Sequence, residues 1–159
     1  MRIIVGISGA TGAIYGIRIL EALKQIHVET HLILSSWAEK TIAIETDYTL
    51  DEVKTLATRV HNSSNQAAII SSGSFKTDGM IVAPCSMKSL AAISHGYADN
   101  LLSRAADVIL KEKRKLVLIP RETPLNAIHL ENMLNLSRLG VCILPPMPAF
   151  YNHPKNVDD

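Results

Sequence analysis
The sequence predicts an α/β protein with a doubly wound, mostly parallel sheet, and three observations support that prediction. Short aliphatic runs alternate along the chain with longer segments that have helical periodicity. The aliphatic runs are apolar at consecutive positions, which is typical of strands buried on both faces. Glycine or proline ends most runs, so the connections are short and the elements form layers. No repeat or change of composition divides the chain, and one domain over residues 1–159 is expected.

This pattern predicts five strands and six helices. The predicted strands span residues 2–7, 28–34, 79–83, 115–119 and 141–144. The predicted helices span residues 13–25, 37–45, 49 to about 60, 86–95, 100–112 and 126–139. Thr49 and Glu52 form a capping box for the third helix, and Asp99 is the expected cap of the fifth. Gly96 and Gly140 are expected helix stops, while residues 61–65 and 71–74 are expected loops.

Composition narrows the classes of function. The 159 residues include 16 Lys and Arg against 15 Asp and Glu, and a net charge of +1 gives no basis for binding nucleic acid or an anionic membrane. Cys85 and Cys142 are too few and too far apart for a disulfide framework or a zinc knuckle. Without a signal peptide or membrane-spanning run, a cytosolic protein is expected. Apolar residues reach 47% and charged residues only 19%, which predicts either an apolar surface or an oligomer that buries one.

In a doubly wound sheet, ligands bind where the strands end, so the loops there hold the candidate site. After the first strand, glycines at positions 6, 9 and 12 let backbone amides and the next helix N-terminus approach an anion, and Ser8 and Thr11 add hydroxyl donors. A tight turn without a ligand is the alternative for this segment. After the second strand, Ser35 and Ser36 stand where a dinucleotide enzyme needs an acidic residue. This disfavours NAD and favours a mononucleotide such as flavin mononucleotide (FMN).

The loops after the third and fourth strands add further anion-binding groups. Ser86 and Ser89 stand at a helix N-terminus, which favours an anion. Between them and the strand, Cys85 is expected to be a small buried hydrophobe rather than a nucleophile. Arg121 directly follows the fourth strand, where its planar guanidinium suits a phosphate.

One helix carries two more cations, Arg104 and Lys111, seven residues apart on one face. A solvated face with Arg104 paired to Asp107 is the alternative. The six histidines show no metal-ligand spacing, so no metal site is expected and His129 is expected to be structural. The residues by themselves therefore predict a site for a phosphorylated, flat ligand.

Six motifs in order resemble those of the UbiX-type flavin prenyltransferases, formerly called phenylacrylic or aromatic acid decarboxylases of the small-subunit type. The motifs are GISGATGAIYG at residues 6–16, PCSMKS at 84–89, NLLSRAADVILKE at 100–112, RETPL at 121–125, IHLENM at 128–133 and PAFY at 148–151. The resemblance covers essentially the whole chain.

The resemblance implies a three-layer, Rossmann-like flavoprotein fold and a metal-independent transferase. Enzymes of this family join the dimethylallyl group of dimethylallyl phosphate to N5 of reduced FMN and close a further ring at C6. The product, prenylated FMN, serves a separate UbiD-type decarboxylase that acts on aromatic or unsaturated acids. The resemblance also implies a closed homo-oligomer, a dodecamer built from trimers, with flavin sites at subunit boundaries.

Matching motifs assign roles to single residues by resemblance. The residues implied to hold FMN are Gly9, Ala10, Thr11, Ser35, Ser86, Met87, Lys88, Ser89 and Arg121. Glu45 is implied to lie near the flavin N5 with Thr11 and to manage the proton released as N5 is alkylated. The residues implied to organise the prenyl phosphate, some of them across a subunit boundary, are Arg104, Lys111, Arg121, Glu122 and Tyr151. Cations aimed at the leaving phosphate and a π-rich pocket for the allyl group suit this chemistry.

Two features depart from the family pattern. Thr11 stands where many members have Ser, a change that keeps the hydroxyl. The family continues into a C-terminal helical segment with a further basic phosphate ligand, and residues 157–159 are expected to begin such a helix. Two alternatives remain: an FMN-dependent decarboxylase, although no Pro-x-Met-Asn motif is present, and a non-catalytic flavin-binding subunit of a decarboxylase.

Overall fold
A computed structural model of the chain describes residues 1–156, in which strands and helices alternate. The strands are β1 (Arg2–Ile7), β2 (Glu29–Leu34), β3 (Arg59–Asn62), β4 (Gly79–Cys85), β5 (Lys115–Pro120) and β6 (Cys142–Ile143). The helices are α1 (Ala13–Gln25), α2 (Ser36–Glu45), α3 (Leu50–Thr55), α4 (Met87–Ser94), α5 (Leu101–Lys111) and α6 (Ala127–Arg138). Two short 3-10 turns span Ile69–Ser71 and Phe150–Asn152.

The strands form one parallel sheet in the order β3-β2-β1-β4-β5-β6. The chain winds outward from β1 through β2 to β3, then returns to the other side of β1 and continues from β4. The loops that follow β1 and β4 therefore diverge in opposite directions and leave a crevice at the carboxyl edge of the sheet. The predicted α/β class with a doubly wound parallel sheet is confirmed.

The main error of the sequence prediction is that it missed the edge strand β3. α3 ends at Thr55 instead of near residue 60, and Arg59–Asn62, predicted as helix and loop, adds a sixth strand beside β2. Two hydrogen bonds of 3.0 Å hold the entry to this strand: each backbone N–H of Thr30 and Thr58 donates to the other's hydroxyl. A four-residue edge strand carries no long apolar run, so only its pairing with β2 identifies it.

Two predicted boundaries also differ from the structure. β4 continues through Pro84 to Cys85 instead of stopping at residue 83, with an irregular register at that end. The N-cap of α5 is Asn100, whose side chain accepts a hydrogen bond of 3.1 Å from the Ser103 N–H. Asp99, the predicted cap, instead accepts a hydrogen bond of 2.6 Å from the Asn100 side chain.

Other local signals are confirmed. Thr49 and Glu52 form the predicted capping box of α3. Gly96 and Gly140, the predicted helix stops, take φ angles of 66° and 85°, which residues with a side chain rarely adopt. Residues 157–159, predicted to begin a further helix, lie outside the described residues.

The core has two parts, one on each face of the sheet. α4, α5 and α6 pack on one face against side chains that include Ile4, Met80, Val82, Leu116 and Leu118. α1, α2 and α3 pack on the other face against Val5, Ile7, Leu32 and Leu34. Successive strand residues point to opposite faces, so the continuous aliphatic runs fill both parts of the core.

Large apolar side chains also remain on the surface of this chain. α6 and the turn after it expose Ile128, Leu130, Leu134 and Leu139. The segment that follows β6 exposes Met147, Phe150 and Tyr151. Part of the apolar surplus in the composition is therefore found at the surface. Within residues 1–156, none of the helices combines the length and hydropathy needed to cross a membrane.

Candidate active site
A cleft of about 430 Å³ opens at the carboxyl edge of the sheet, where the strand order reverses. The loops that follow β1, β2, β3 and β4 form its walls together with the first turn of α5. Serine side chains line much of its polar wall, namely Ser35, Ser36, Ser63, Ser86 and Ser89. The structure thus brings Gly9, Ser35, Ser86, Lys88 and Ser89, all of them sequence candidates, to one cleft.

Ser8 connects two of these loops. Its buried hydroxyl donates to the Pro84 carbonyl over 2.8 Å and accepts from the Ser86 N–H over 2.7 Å. The backbone N–H of Ser8 donates to the same carbonyl over 3.2 Å. The prediction of Ser8 as a ligand donor is therefore wrong, because its hydroxyl holds the β1 loop against the β4 loop.

Two helices begin at the cleft with serine caps. Ser35 caps α2 by accepting from the Ala38 N–H over 3.0 Å, and Ser86 caps α4 by accepting from the Ser89 N–H over 3.3 Å. The first turn of a helix has N–H groups without partners inside the helix, and their partial positive charge attracts anions. Lys88, exposed in the first turn of α4, adds a full positive charge at the same place.

The N-terminus of α1 already holds an anion, the carboxylate of Glu45. Glu45 is the last residue of α2, and its Oε2 accepts hydrogen bonds from the N–H groups of Gly12 (2.8 Å) and Ala13 (3.2 Å). The Thr11 side chain donates a further hydrogen bond to this carboxylate. Gly12 has a φ of 95°, so a glycine is needed for the turn that aims its N–H at Glu45. The expectation of an external anion at this helix end is therefore wrong.

The environment of Glu45 keeps it ionised. Burial favours the protonated form, but the hydrogen bonds from Thr11, Gly12 and Ala13, with the positive charge of Arg121, outweigh it and lower the pKa of Glu45. A carboxylate in this state can accept a proton from a bound ligand. It lies at the junction of α1 and α2, and both helices pack on the core.

Arg121 belongs to the same corner of the molecule. Its backbone N–H donates to the Cys85 carbonyl over 3.3 Å, which places it beside the β4 loop, and its side chain is exposed. The neighbouring Glu122 is also exposed and accepts a hydrogen bond of 3.1 Å from the Thr123 N–H. The positive charge of Arg121 also acts on Glu45 and contributes to the lowered pKa of that carboxyl.

The two predicted cations, Arg104 and Lys111, lie near opposite ends of α5. Both are on the outward stripe of the helix, as their spacing predicts. Arg104, near the cleft end, pairs with Asp107 at 2.8 Å, the arrangement of the solvated alternative. Lys111 is the last residue of α5 and pairs with Glu112 at 3.4 Å. Because α5 runs antiparallel to the strands, Lys111 lies at the amino edge of the sheet, away from the cleft of its own chain.

The remaining predicted site residues, Ala10, Met87 and Tyr151, lie in three different segments of the chain. Ala10 is half-buried in the loop between β1 and α1, and Met87 packs against the core at the start of α4. Tyr151 is 84% exposed in the 3-10 turn near the end of the described chain. In this chain, therefore, Tyr151 is held in no dry pocket.

Cys85 and His129 have structural positions, as predicted. Cys85 is fully buried in the core, and burial raises the pKa of its thiol to about 12, so it is not an available nucleophile. His129 completes a capping box at the start of α6, where its Nδ1 accepts from the Asn126 N–H over 3.4 Å. Among the described residues, no group of three His, Cys, Asp or Glu side chains is arranged to hold a metal ion.

Seven residues of the cleft wall are not among the predicted site residues: Ser36, Trp37, Ser63, Ala92, Asp99, Asn100 and Leu102. Ser63 reaches the cleft only because β3 is a strand, so its omission follows from the error at β3. Asn100 opens the motif at residues 100–112, and its position before a helix was the available signal. Trp37 is the single tryptophan of the chain and follows the two serines after β2.

Comparison with known proteins agrees with this architecture. The family model described as Flavoprotein matches residues 1–155. A probable UbiX-like flavin prenyltransferase of Escherichia coli is 64% identical over 160 residues, which cover 100% of this chain and 81% of the relative. A relative from Saccharomyces cerevisiae, the mitochondrial flavin prenyltransferase PAD1, is 57% identical over 99% of this chain and 65% of its own length.

Solved structures of UbiX-like proteins superimpose closely on this chain. A dodecameric FMN-dependent UbiX-like decarboxylase from Escherichia coli O157:H7 superimposes with a TM-score of 0.98 at 64% identity, covering 99% of this chain and 86% of that one. AnUbiX, solved with FMN and dimethylallyl pyrophosphate, superimposes with a TM-score of 0.97 at 57% identity, covering 99% and 84%. Peptidyl-cysteine decarboxylase EpiD, at 19% identity and a TM-score of 0.73, shares the fold. From its sheet, its cleft and these similarities, the chain belongs to the UbiX-like flavin prenyltransferase family of flavoproteins.

Proposed function
We propose that this protein is a flavin prenyltransferase, which joins the dimethylallyl group of dimethylallyl phosphate to N5 and C6 of reduced FMN. One observation carries the proposal: an ionised Glu45 is held by Thr11 and the N-terminus of α1 beside Arg121, at the edge that bears the cleft. The relatives named as flavin prenyltransferases, at up to 64% identity, support the same activity.

The residues of the cleft fit FMN. Two serine-capped helix N-termini and Lys88 suit a phosphate, and the serine side chains suit the hydroxyls of a ribityl chain. The proposed FMN-binding residues are Gly9, Ala10, Thr11, Ser35, Ser86, Met87, Lys88, Ser89 and Arg121. Reduced FMN, when bound, supplies the electron-rich ring nitrogen that bonds to the allylic carbon.

Glu45 is the proposed base of the reaction. The carboxylate accepts the proton that the reacting nitrogen loses, while Thr11 and the amides of Gly12 and Ala13 hold it in place. These hydrogen bonds lower the pKa of Glu45, so the carboxylate is ionised at neutral pH. The charge of Arg121 helps to keep both the carboxylate ionised and an anionic ligand in place.

The leaving phosphate needs positive charge directed at it as the bond to the allylic carbon breaks. Arg104, Lys111 and Arg121 are the proposed cations, with Glu122 and Tyr151 organising the pocket. Because Lys111 lies at the amino edge of the sheet, it serves the cleft of a neighbouring subunit in this proposal rather than its own. The site is then complete only in an oligomer, which we propose is a dodecamer like that of the 64% identical structural relative.

The deciding experiment is anaerobic incubation of the protein with reduced FMN and dimethylallyl phosphate, followed by mass spectrometry of the extracted flavin. A mass gain of one prenyl unit is expected. Glu45→Gln should retain FMN and lose prenylation, because the amide cannot accept the proton. Asp47→Asn removes an exposed carboxylate two residues away and is the matched control, with unchanged prenylation. Unmodified FMN recovered from the wild-type protein would sink the proposal.

The alternatives, an FMN-dependent decarboxylase and a non-catalytic flavin-binding subunit, are not favoured. The cysteine decarboxylase EpiD shares only the fold, at 19% identity. Cys85 cannot assist such chemistry, since it is buried and its thiol pKa is raised to about 12. Incubation of the FMN-loaded protein with an aromatic acid should release no carbon dioxide.

The wider setting follows from the same proposal. The recipient of prenylated FMN is a UbiD-type decarboxylase, and binding of nucleic acid or membrane is not expected at a net charge of +1. We propose a cytoplasmic location, although one relative is named as mitochondrial.

A further inference from the structure
Trp37 stands on the wall of the cleft, in the first turn of α2. Its side chain is 63% exposed, although aromatic side chains of this size contribute strongly to stability when they are buried. Such exposure beside a cleft is understandable if the ring is covered when a ligand binds.

Two contacts involve the Trp37 side chain, one at its Cβ and one at its indole ring. Its Cβ lies against Gly9, so closely that even a methyl group on Gly9 would overlap it. The Lys40 ammonium lies 4.4 Å from the centroid of the indole ring, a cation–π contact one helical turn away. Lys40 is not part of the cleft wall, so it braces the ring from outside the cleft. The Trp37 side chain therefore packs against Gly9 and Lys40 in this chain.

The length of α2 relates Trp37 to the reactive corner. Glu45 follows Trp37 by eight positions on the same helix, which places their backbones about 12 Å apart along its axis. A flavin whose reacting nitrogen lies at Glu45 must direct its tail away from that corner. The polar groups around Trp37, among them Ser35, Ser86 and Lys88, are those that suit a phosphorylated tail.

We infer that Trp37 is a positioning and specificity residue for the ribityl phosphate tail of the flavin, an inference that rests on the proposed function. The indole covers the carbon chain of the tail and excludes water from the phosphate contacts of Ser86, Ser89 and Lys88. Hydrogen bonds and ion pairs strengthen when water is excluded. Trp37 therefore increases the affinity contributed by the phosphate, and it favours FMN over riboflavin.

The first test compares the dissociation constants of FMN and riboflavin for wild type, Trp37→Phe, Trp37→Ala and Ile26→Ala. Trp37→Ala should weaken FMN binding by about tenfold or more, since it removes a large apolar contact. Riboflavin, which lacks the phosphate, should lose less. Trp37→Phe keeps an aromatic wall and should stay within about threefold of wild type. Ile26→Ala truncates an exposed side chain next to α1 and should change neither constant.

The second test uses the emission of Trp37, the single tryptophan, in the wild-type protein. Ribitol 5-phosphate is the flavin tail without the ring that absorbs light, so it reports contact with the tail alone. At concentrations that displace FMN, it should shift the emission to shorter wavelength and protect Trp37 from quenching by iodide.

Equal affinity of wild type and Trp37→Ala for FMN would overturn the inference. The inference would also be overturned if ribitol 5-phosphate, at concentrations that displace FMN, changed neither the emission wavelength of Trp37 nor its quenching by iodide. If Trp37→Ala does not fold, the emission of the wild-type protein decides. Failure of the wild-type protein to bind FMN would remove both this inference and the proposed function. Normal FMN binding and prenylation by the wild type, with equal FMN affinity in Trp37→Ala, would remove the inference alone.

Discussion
At the scale of single residues, Thr11 contributes to the lowered pKa of Glu45. Its side chain donates one of the hydrogen bonds that lower the pKa of Glu45 against the effect of burial. In Thr11→Ala that bond is lost, so the pKa of Glu45 rises. A base works only when ionised, and the acid limb of the pH–rate profile for prenylation should move to higher pH. Thr11→Ser keeps the hydroxyl and should leave the limb in place; an unmoved limb in Thr11→Ala would contradict the assignment.

Gly16 shows a residue-scale constraint on stability. It lies on the buried side of α1, where a Cβ would meet the Ala83 carbonyl and the Ile7 side chain. Gly16→Ala should therefore lower the free energy of unfolding by about 1–3 kcal/mol, measured by urea denaturation. Gly96→Asn is the control, because its surroundings are open and asparagine tolerates a positive φ, so the cost should stay below about 1 kcal/mol. Equal losses of unfolding free energy in Gly16→Ala and Gly96→Asn would exclude close packing around Gly16 as the cause of the loss.

At the scale of secondary-structure elements, a histidine pair connects β3 to β2. The buried His31 has its Nδ1 2.8 Å from His61 Nε2 and its Nε2 3.1 Å from Glu29 Oε1. A carboxylate only accepts, so His31 Nε2 carries a hydrogen and donates it to Glu29. One proton fits between the two facing ring nitrogens, and therefore both rings cannot be protonated while β3 is in place.

This pair makes stability depend on pH. Burial, His31 and Arg59 lower the pKa of His61 below its ordinary 6.5. The folded state then binds the proton less well, so the contribution of His61 is complete above pH 6.5 and declines as the pH falls below that value. His61→Gln should flatten the loss of unfolding free energy between about pH 7 and pH 5. His95→Gln, at the end of α4, should leave it unchanged. A wild-type stability that is flat over this range would refute the argument.

The charge of Glu29 acts in a different pH range. Its hydrogen bonds to Arg2 and His31 lower its pKa from 4.5 to about 2. The stability that depends on ionised Glu29 is present above pH 4.5 and is lost as the pH falls through 2. Acid titration of the wild-type protein should therefore show two separate losses, and His61→Gln should remove the first of them.

At the scale of the whole molecule, the position of Lys111 leads to a prediction about how neighbouring subunits combine their residues in one site. Glu45→Gln and Lys111→Ala should each abolish prenylation. If Lys111 serves a neighbouring cleft, co-expression of the two variants should restore part of the activity, because some mixed boundaries combine an intact Glu45 with an intact Lys111. The double variant Glu45→Gln/Lys111→Ala should show none. Co-expressed single variants that stay inactive in a mixed oligomer would place Lys111 outside the neighbouring site.

The sequence was most informative where the determinants are local. The strand and helix alternation, the capping box at Thr49 and the glycine stops depend on neighbouring residues, so they could be predicted from the chain alone. β3 could not be predicted in this way, because its identity depends on pairing with β2, a strand that is distant from it in the sequence. The same reason explains Ser63, which only β3 brings to the cleft.

By itself, the sequence determined the α/β class, the edge of the sheet that bears the cleft, and motifs that resemble those of one enzyme family. Only the tertiary structure showed that the anion at the N-terminus of α1 is Glu45, that Ser8 joins two loops, and that Lys111 lies at the opposite edge. Helix caps and apolar runs act over a few residues, whereas these contacts join positions as far apart as 33 and 76 residues. Such distances in sequence become short only when the sheet has formed and both its faces are packed.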